Sequence, residues 1–576
     1  MEKKLLLGNA AVARGLYENG VTVASAYPGT PSTEILENTV KYKEVYGEWA
    51  PNEKVALEVA IGASVAGARA FCAMKHVGLN VAADPLFTVG YTGVNGGLVI
   101  AVADDPSMHS SQNEQDSRHY AKAAKIPMLE PSDSQECKDF TAAAYDLSEQ
   151  FDTPVLYRLT TRVAHSQSIV ELNDRKEIPL KEYEKNIGKY VMMPGNAMRR
   201  HPEVEERIKK LTVYAETSPL NKAEYHSSQI GIITSGMCYN YVKEAFGESV
   251  SVLKLGMVYP LPVKLIQEFA SKVDKLYVVE ELDPFIEEHC RSIGVSVIGK
   301  ELFPLCYEFS TRQIRTLITG EEGVPFTTPE EPVPVRPPAL CPGCPHRGTF
   351  YVLKKMGLHV CGDIGCYTLG AAAPLGAMDA VVCMGASIGM SFGMELARGR
   401  DFAKNTVAVI GDSTFIHSGI TGLIEVAYNK GISTVLVLDN SITGMTGHQD
   451  NPTTGKTLQG EATVSVDLEA LGHAVGIRRV SVVDPFDLTG LETTIKTELE
   501  AQEPSLIVVQ RPCALLKNVK FPGPIQIDSE KCKRCKACMK LGCTAISDKG
   551  DHLEIDQTLC NGCGLCKNVC KFDAIG

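Results

Sequence analysis

The sequence predicts an α/β protein of several parallel-sheet domains that ends in a small cysteine-rich module. Three observations predict it. Short apolar runs at 21–26, 97–102, 154–159, 231–234, 275–280, 406–410 and 434–438 alternate with longer stretches of helical character, the pattern of strands buried on both faces with helices packed over them. Proline-rich and polar stretches break this alternation into pieces. The final segment, 525–576, carries eight of the 19 cysteines in two short-spaced groups.

Taken in order, residues 1–184 hold the first three apolar runs and form a first α/β domain. Residues 185–225 are polar and charged, with little apolar periodicity, and are expected to be an irregular connection or insertion. A second, linking α/β domain covers 226–329. The run Glu330-Glu331-Pro332-Val333-Pro334-Val335-Arg336-Pro337-Pro338 cannot sit inside a helix or a central strand and reads as an interdomain linker. A third α/β domain covers 339–513, and 514–527 leads into the cysteine module.

Composition narrows the class. At 576 residues the chain is too long for one core, and about three to five domains are expected. Hydrophobic and charged fractions of 44% and 22% are those of a globular protein. A formal charge of −12 offers no electrostatic footprint for nucleic acid. No apolar run is long enough to span a membrane. Met1-Glu2-Lys3-Lys4 precedes only a brief apolar run that breaks at Gly8-Asn9, which argues against a secretory signal, so a cytoplasmic location is expected. In such a chain, grouped cysteines read as metal or cluster ligands rather than disulfides.

The tail groups are Cys532-x2-Cys535-x2-Cys538-x4-Cys543 and Cys560-x2-Cys563-x2-Cys566-x3-Cys570. A C-x2-C-x2-C loop wraps three thiolates around one [4Fe–4S] cubane, and the fourth thiolate comes from the remote cysteine of the other group. On that crossed scheme Cys532, Cys535, Cys538 and Cys570 hold one cluster, and Cys560, Cys563, Cys566 and Cys543 hold the other. Two zinc knuckles are the rival reading, disfavoured because no histidine stands in either quartet. The pattern resembles a bacterial two-cluster ferredoxin. It departs from that family in the x4 spacing and in Thr544 and Lys571, where proline usually follows the fourth cysteine.

Upstream, the run 406–410 ends at Gly411-Asp412-Ser413, a helical segment follows over 419–430, and the run 434–438 ends at Asp439-Asn440. A strand–helix–strand unit is right-handed, so both strands end on one sheet edge, where open α/β sheets bind ligands. Asp412 and Asn440 then offer hard oxygen ligands to one Mg²⁺ ion, leaving positions for phosphate oxygens and water. The helix start beside Ser413 offers backbone N–H groups to a diphosphate. An ordinary strand-end Asp and turn Asn are the bland alternative. The pattern resembles the thiamine-diphosphate motif, with Ser413 in place of its third Gly and Asp439 in place of its first Asn. That resemblance implies the backbone carbonyl of Ile442 as a third protein ligand.

Tyr27-Pro28-Gly29-Thr30-Pro31-Ser32-Thr33-Glu34, then Glu53, then Ile61-Gly62-Ala63-Ser64-x-Ala66-Gly67-Ala68-Arg69 resemble the pyrimidine-binding domain of 2-oxoacid:ferredoxin oxidoreductases. The resemblance implies that Glu53 hydrogen-bonds N1′ of the aminopyrimidine and that Thr30 lies near substrate. Glu58 competes for the first role, and a plain helix-start glutamate is the bland reading of Glu53. Met74-Lys75-His76-Val77-Gly78-Leu79-Asn80, the run from Asp104 to Asp116, and Thr443-Gly444-Met445-Thr446-Gly447-His448-Gln449 are similar to the large subunits of the indolepyruvate branch of that family.

Over nearly the whole chain, the resemblance implies two thiamine-diphosphate-binding folds, 1–184 for the pyrimidine and 339–513 for the diphosphate and Mg²⁺. It also implies a linking domain like the C-terminal domain of transketolase and a two-cluster ferredoxin tail at 525–576. The implied reaction takes an aryl pyruvate, CoA and oxidised ferredoxin to aryl-acetyl-CoA, CO2 and reduced ferredoxin. A separate smaller β subunit in an α2β2 assembly is implied as partner. His448 and His76 are candidate proton carriers or substrate contacts, with a buried structural role as the alternative. Cys341-Pro-Gly-Cys344-Pro-His346, Gly365-Cys366 and Cys513 match positions that hold a cluster beside thiamine in related enzymes. A third [4Fe–4S] cluster is the candidate there, with Cys361 a competing ligand and zinc or packed thiols the rivals. The scattered Cys72, Cys137, Cys238, Cys290, Cys306 and Cys383 are expected to be small core residues. Two further function classes stand beside the leading one: a non-oxidative thiamine-dependent decarboxylase with an accessory tail, and an electron-transfer or assembly subunit whose thiamine site is inactive.

Overall fold

The computed structural model describes residues 2–321, 331 and 333–576. Met1, Glu330 and Pro332, which belong to two of the sequence readings, lie outside them. The chain divides into two compact units, 1–328 and 329–576.

The first unit is built on a seven-stranded sheet. Its order is Met257–Tyr259, Met128–Leu129, Val155–Thr160, Leu98–Asp104, Ala70–Lys75, Val23–Ala26 and Tyr46–Trp49. All neighbours run parallel except the first pair. The central strands Ala70–Lys75, Leu98–Asp104 and Val155–Thr160 are buried along their whole length, which explains why the last two read as near-continuous apolar runs rather than alternating ones; Ala70–Lys75 is not among the runs read from the sequence. Helix Glu53–Val65 packs its Ala56, Leu57 and Ala60 into the same core. A second sheet of four strands, in the order Lys275–Val279, Ile230–Ser235, Ser251–Leu255, Asn221–Glu224, forms the linking domain. The strand Met257–Tyr259, which lies in sequence between Ser251–Leu255 and Lys275–Val279, pairs with Met128–Leu129 of the first sheet.

The expectation of an irregular 185–225 is corrected. Most of it is one helix of 24 residues, Pro194–Thr217. Its buried positions are Val204, Arg207, Leu211 and Ala215, a stripe with helical spacing. One member is an arginine, whose guanidinium donates to the carbonyls of Gly90 and Asp152, so the apolar period is masked in the sequence. Residues 331 and 333–338 are exposed and belong to no helix or strand.

The second unit has a five-stranded, wholly parallel sheet in the order His359–Cys361, Thr406–Gly411, Thr434–Asp439, Ser505–Gln510, Arg479–Val483. Core side chains lie on both of its faces. The cysteine module follows, with the antiparallel pair Ile546–Asp548 and Leu553–Ile555 and a small core of Ile525, Leu541, Ile555, Leu565 and Val569 among the cysteines. Cys72, Cys137, Cys238 and Cys290 are buried as expected. Cys306 and Cys383 are exposed, so the core assignment is corrected for those two.

Candidate active site

Asp412 begins the helical turn that follows strand Thr406–Gly411, and Asn440 follows strand Thr434–Asp439. The two strands are adjacent and parallel, with Gly411 opposite Leu438, so both residues sit at the carboxyl edge of neighbouring strands. Both are buried, at 3% and 7% exposure. Burial, and then the neighbouring Asp439, push the Asp412 carboxyl up to about 7. A carboxyl held this way without a counter-charge is what a divalent cation would reverse, so the donor set fits the implied Mg²⁺. A loop that the sequence reading missed folds over it. Thr453 Oγ1 donates to Asp412 Oδ2 at 3.2 Å and to Asn451 Oδ1 at 2.7 Å. Asp439, the departure from the motif, is engaged at the strand end by Gln510 Nε2 at 2.7 Å and by the Ser441 N–H at 2.9 Å.

His346 is a second residue whose role the sequence reading missed, although its motif was singled out. It is 3% exposed, and burial lowers its pKa to about 4, so the ring is neutral. Its Nε2 stands 3.4 Å from Asn440 Nδ2. A neutral imidazole nitrogen accepting from the amide nitrogen leaves Asn440 Oδ1 as the free-facing oxygen. That oxygen also accepts weakly from the Ile442 N–H at 3.3 Å.

The cysteines singled out upstream converge on the same edge. The Cys513 N–H donates to the Asn440 carbonyl at 2.9 Å. A Cβ at Gly444 would lie 3.5 Å from Cys366 Sγ and 3.9 Å from Asn440 Nδ2, so the metal-site loop passes directly over that thiol. Cys344 interacts electrostatically with Cys341 and Cys366, Cys366 with Cys513 and Cys341, and Cys513 with Cys341 and Asp412. Burial pushes the Cys344 and Cys366 thiols up to about 12 and about 11. Cys361, the competing ligand, turns its sulfur to Met394 Sδ at 3.6 Å instead. Asp363 anchors the Cys366 loop: its buried carboxylate accepts from the N–H groups of Ile364, Gly385 and Ser387 at 2.9, 2.9 and 3.1 Å.

The tail cysteines assemble across the two sequence groups. Cys532, Cys535, Cys538 and Cys570 line one cavity. Cys566 and Cys563 each interact with Cys543 and Cys560. Cys566 also interacts with Cys538, so the two groups of cysteines are neighbours. Arg347, buried at 3%, ties this module to the upstream cysteines. Its Nε donates to the Cys341 carbonyl at 3.1 Å, its Nη2 to the Leu340 carbonyl, and its Nη1 to the carbonyls of Leu541, at 3.1 Å, and Gly542. Asn561 Nδ2 donates to the Pro342 carbonyl at 3.1 Å. The Cys341–Cys344 loop is thereby fixed to the loops that carry Cys543 and Cys560.

In the first unit, Glu53 is the first residue of its helix, behind Asn52, whose side chain accepts the Val55 N–H at 2.9 Å. Glu53 is 5% exposed. Its carboxylate lies against Gly78, where a Cβ would come within 2.6 Å of Oε1; only glycine admits that approach. Glu58 points outward and pairs with Lys54, both side chains being 45% exposed. Burial therefore separates the two candidates. Thr30 lies on a tight turn closed by Ser32 N–H to the Gly29 carbonyl at 2.8 Å and held by Asn9 Nδ2 on the Pro31 carbonyl at 2.7 Å. His76 is fully buried, with Nε2 3.0 Å from Asn113 Oδ1. His448 is exposed on the turn where Thr443 and Gln449 bridge.

Comparison with known proteins gives three family matches. They are the C-terminal TPP-binding domain of thiamine pyrophosphate enzymes over 363–509, the thiamine-diphosphate-binding domain of pyruvate flavodoxin/ferredoxin oxidoreductases over 14–230, and the 4Fe-4S binding domain over 553–576. The chain is 41% identical over 610 residues to indolepyruvate oxidoreductase subunit IorA of Archaeoglobus fulgidus, covering 100% of this chain and 97% of that protein. It is 41% identical over 628 residues to the subunit of the same name from Pyrococcus horikoshii, covering 100% and 96%. The one from Methanothermobacter marburgensis matches at 41% over 606 residues, covering 100% and 97%.

Proposed function

This chain belongs to the indolepyruvate oxidoreductase subunit IorA family of 2-oxoacid:ferredoxin oxidoreductases, and on that premise we propose that it converts aryl pyruvates, with CoA, into aryl-acetyl-CoA and CO2 while reducing ferredoxin. The observation that supports this reading is the hydrogen bond from the Cys513 N–H to the Asn440 carbonyl, which joins the Cys513 loop to the edge of Asp412 and Asn440, together with the mutual interactions of Cys341, Cys344, Cys366 and Cys513. A decarboxylase that released an aldehyde would have no use for thiols there. An oxidative enzyme needs an electron acceptor within reach of the reacting carbon.

Thiamine diphosphate, when bound, supplies the electron sink that lets a 2-oxo acid lose CO2. The chain's own residues hold and orient it. Asp412, Asn440 Oδ1 and the Ile442 carbonyl would take Mg²⁺ through hard oxygens, with His346 fixing the amide. Ser413 and the N–H groups behind it would meet the diphosphate. Glu53 would hold a proton at N1′ of the aminopyrimidine through a charge-assisted hydrogen bond. Thr30 would stand on the substrate side, and His448 would serve as a proton carrier at the surface of the second unit.

Cys341, Cys344, Cys366 and Cys513 would hold a [4Fe–4S] cluster. The two tail quartets would hold two more. Such clusters, when bound, would supply one-electron carriers, and Arg347 and Asn561 would keep the loop of Cys341 and Cys344 against the loops of Cys543 and Cys560. A smaller β subunit completes the enzyme in this reading, as an α2β2 assembly. The test is an anaerobic assay of the chain assembled with that partner, across a panel of 2-oxo acids with CoA and a viologen dye. Dye reduction should depend on both an aryl pyruvate and CoA; no reduction with any 2-oxo acid overturns the reading.

A further inference from the structure

The described part of the chain has three buried lysines: Lys75, Lys138 and Lys254, at 7%, 3% and 4% exposure. Lys138 is ion-paired with Glu18 at 3.2 Å and Asp139 at 2.9 Å, and Lys254 with Glu136. Lys75 differs. Its Nζ donates to the Ser110 carbonyl at 2.5 Å and to Ser110 Oγ at 3.3 Å, and no carboxylate among the described residues lies within ion-pair distance of it. Asp105 acts on it electrostatically. That carboxylate is already engaged by the Ser110 N–H at 2.8 Å, Ser111 Oγ at 2.5 Å and Thr161 Oγ1 at 2.6 Å. A buried cation without a bound counter-charge is costly to maintain, and in a binding site an anionic ligand supplies what is missing.

The position says which ligand. Lys75 ends the central strand Ala70–Lys75, on the carboxyl edge of the first unit's sheet, where open α/β sheets take their ligands. Ser110, which receives the ammonium, donates its Oγ to the Thr30 carbonyl at 3.2 Å. Gly29 lies against the lysine stem, where a Cβ would come within 3.2 Å of Lys75 Cβ. The ammonium is thus joined through one serine to the turn read above as the substrate side. Burial lowers its pKa to about 8, so it remains mostly charged at neutral pH.

We propose that Lys75 receives the carboxylate of the 2-oxo acid, with Ser110 and the Thr30 turn fixing its direction, and so makes a free carboxylate a requirement for the substrate. This rests on the reading of Thr30 as a substrate-side residue. The test uses the assembled enzyme as wild type, Lys75→Met and Lys75→Arg. In Lys75→Met the KM for an aryl pyruvate should rise by about 100-fold, with kcat falling far less and the KM for CoA unchanged. Lys75→Arg should recover part of the loss. Wild type should bind 3-phenylpropionate and reject its amide in calorimetric titration, and Lys75→Met should lose that discrimination. Thiamine diphosphate retained after desalting should match wild type, which controls for folding. An unchanged KM and unchanged acid–amide discrimination in Lys75→Met overturn the proposal. So does loss of thiamine diphosphate in Lys75→Met and Lys75→Arg alike, which would assign the lysine to the cofactor or the fold. Wild type inert towards every 2-oxo acid strikes the parent reading itself, and this one with it.

Discussion

The proposed chemistry rests on single residues at strand ends and helix starts, and they differ in how visible they are in the sequence. Asp412 and Asn440 are legible because a βαβ unit fixes their common edge before any coordinates exist. Glu53 is legible only by resemblance, since any helix start favours a carboxylate; burial against Gly78 then separates it from Glu58. His346 was hidden because its motif drew attention to thiols. Its link to Asn440 spans 94 positions of sequence, and nothing local announces it. His346→Leu should raise the Mg²⁺ concentration needed for half-maximal activity by about 10- to 100-fold, as loss of a residue that orients a proposed metal ligand does. A Mg²⁺ titration of dye reduction measures it, and an unchanged midpoint would remove the histidine from the site. Lys75 stands in the run from Met74 to Asn80, but its missing counter-charge is a property of packing and has no sequence signal.

At the scale of elements, the apolar runs located strands to within a residue or two, because strands buried on both faces need no alternation to be seen. Helix Pro194–Thr217 failed to register because one of its inward positions is an arginine and its other faces are polar. A pH test belongs to this scale, where the Thr30 turn and helix Thr33–Thr39 meet the short helix Thr161–His165 through Glu34 Oε2 and His165 Nε2, 3.4 Å apart. The hydrogen bond to Glu34 raises the His165 pKa from its ordinary 6.5, against the opposing effect of burial. Burial, the leading influence on Glu34, raises its pKa, but the hydrogen bond to His165, a backbone N–H and Asn9 together bring it below its ordinary 4.5. The histidine's contribution is fully present below 6.5 and is lost as pH rises through its raised folded value. The glutamate's is present above 4.5 and is lost as pH falls through its lowered one. The pair therefore stabilises most between those two ordinary values. Being partly exposed, it is worth about 0.2–1 kcal/mol. Denaturation midpoints of wild type and His165→Gln should differ most near pH 5.5 and converge by about pH 8.5; an equal gap at both would show that the histidine acts through packing alone.

For the whole molecule, the cysteine-rich tail is the most legible part, since its spacing alone suggests the crossed pairing, and Cys532, Cys535, Cys538 and Cys570 line one cavity. The Arg347 clamp between the Cys341 loop and the Leu541–Gly542 turn was not legible, because an arginine that donates to four backbone carbonyls depends on no partner side chain. If the upstream thiols hold a third cluster, iron should fall from about twelve to about eight per chain in Cys366→Ala, by [4Fe–4S] stoichiometry. Iron analysis of anaerobically purified protein decides it, and about eight in both would restrict the clusters to the tail.

The central claim is that electrons released from a 2-oxo acid at the Glu53-dependent thiamine site leave through these clusters. Freeze-quench electron paramagnetic resonance of the assembled enzyme, mixed anaerobically with an aryl pyruvate, tests it most directly. The account predicts reduced-cluster signals within one turnover in wild type. In Glu53→Gln they should appear about 10²- to 10⁴-fold more slowly, although dithionite reduces the clusters of both proteins equally. Cluster reduction by substrate at the same rate in both would contradict it.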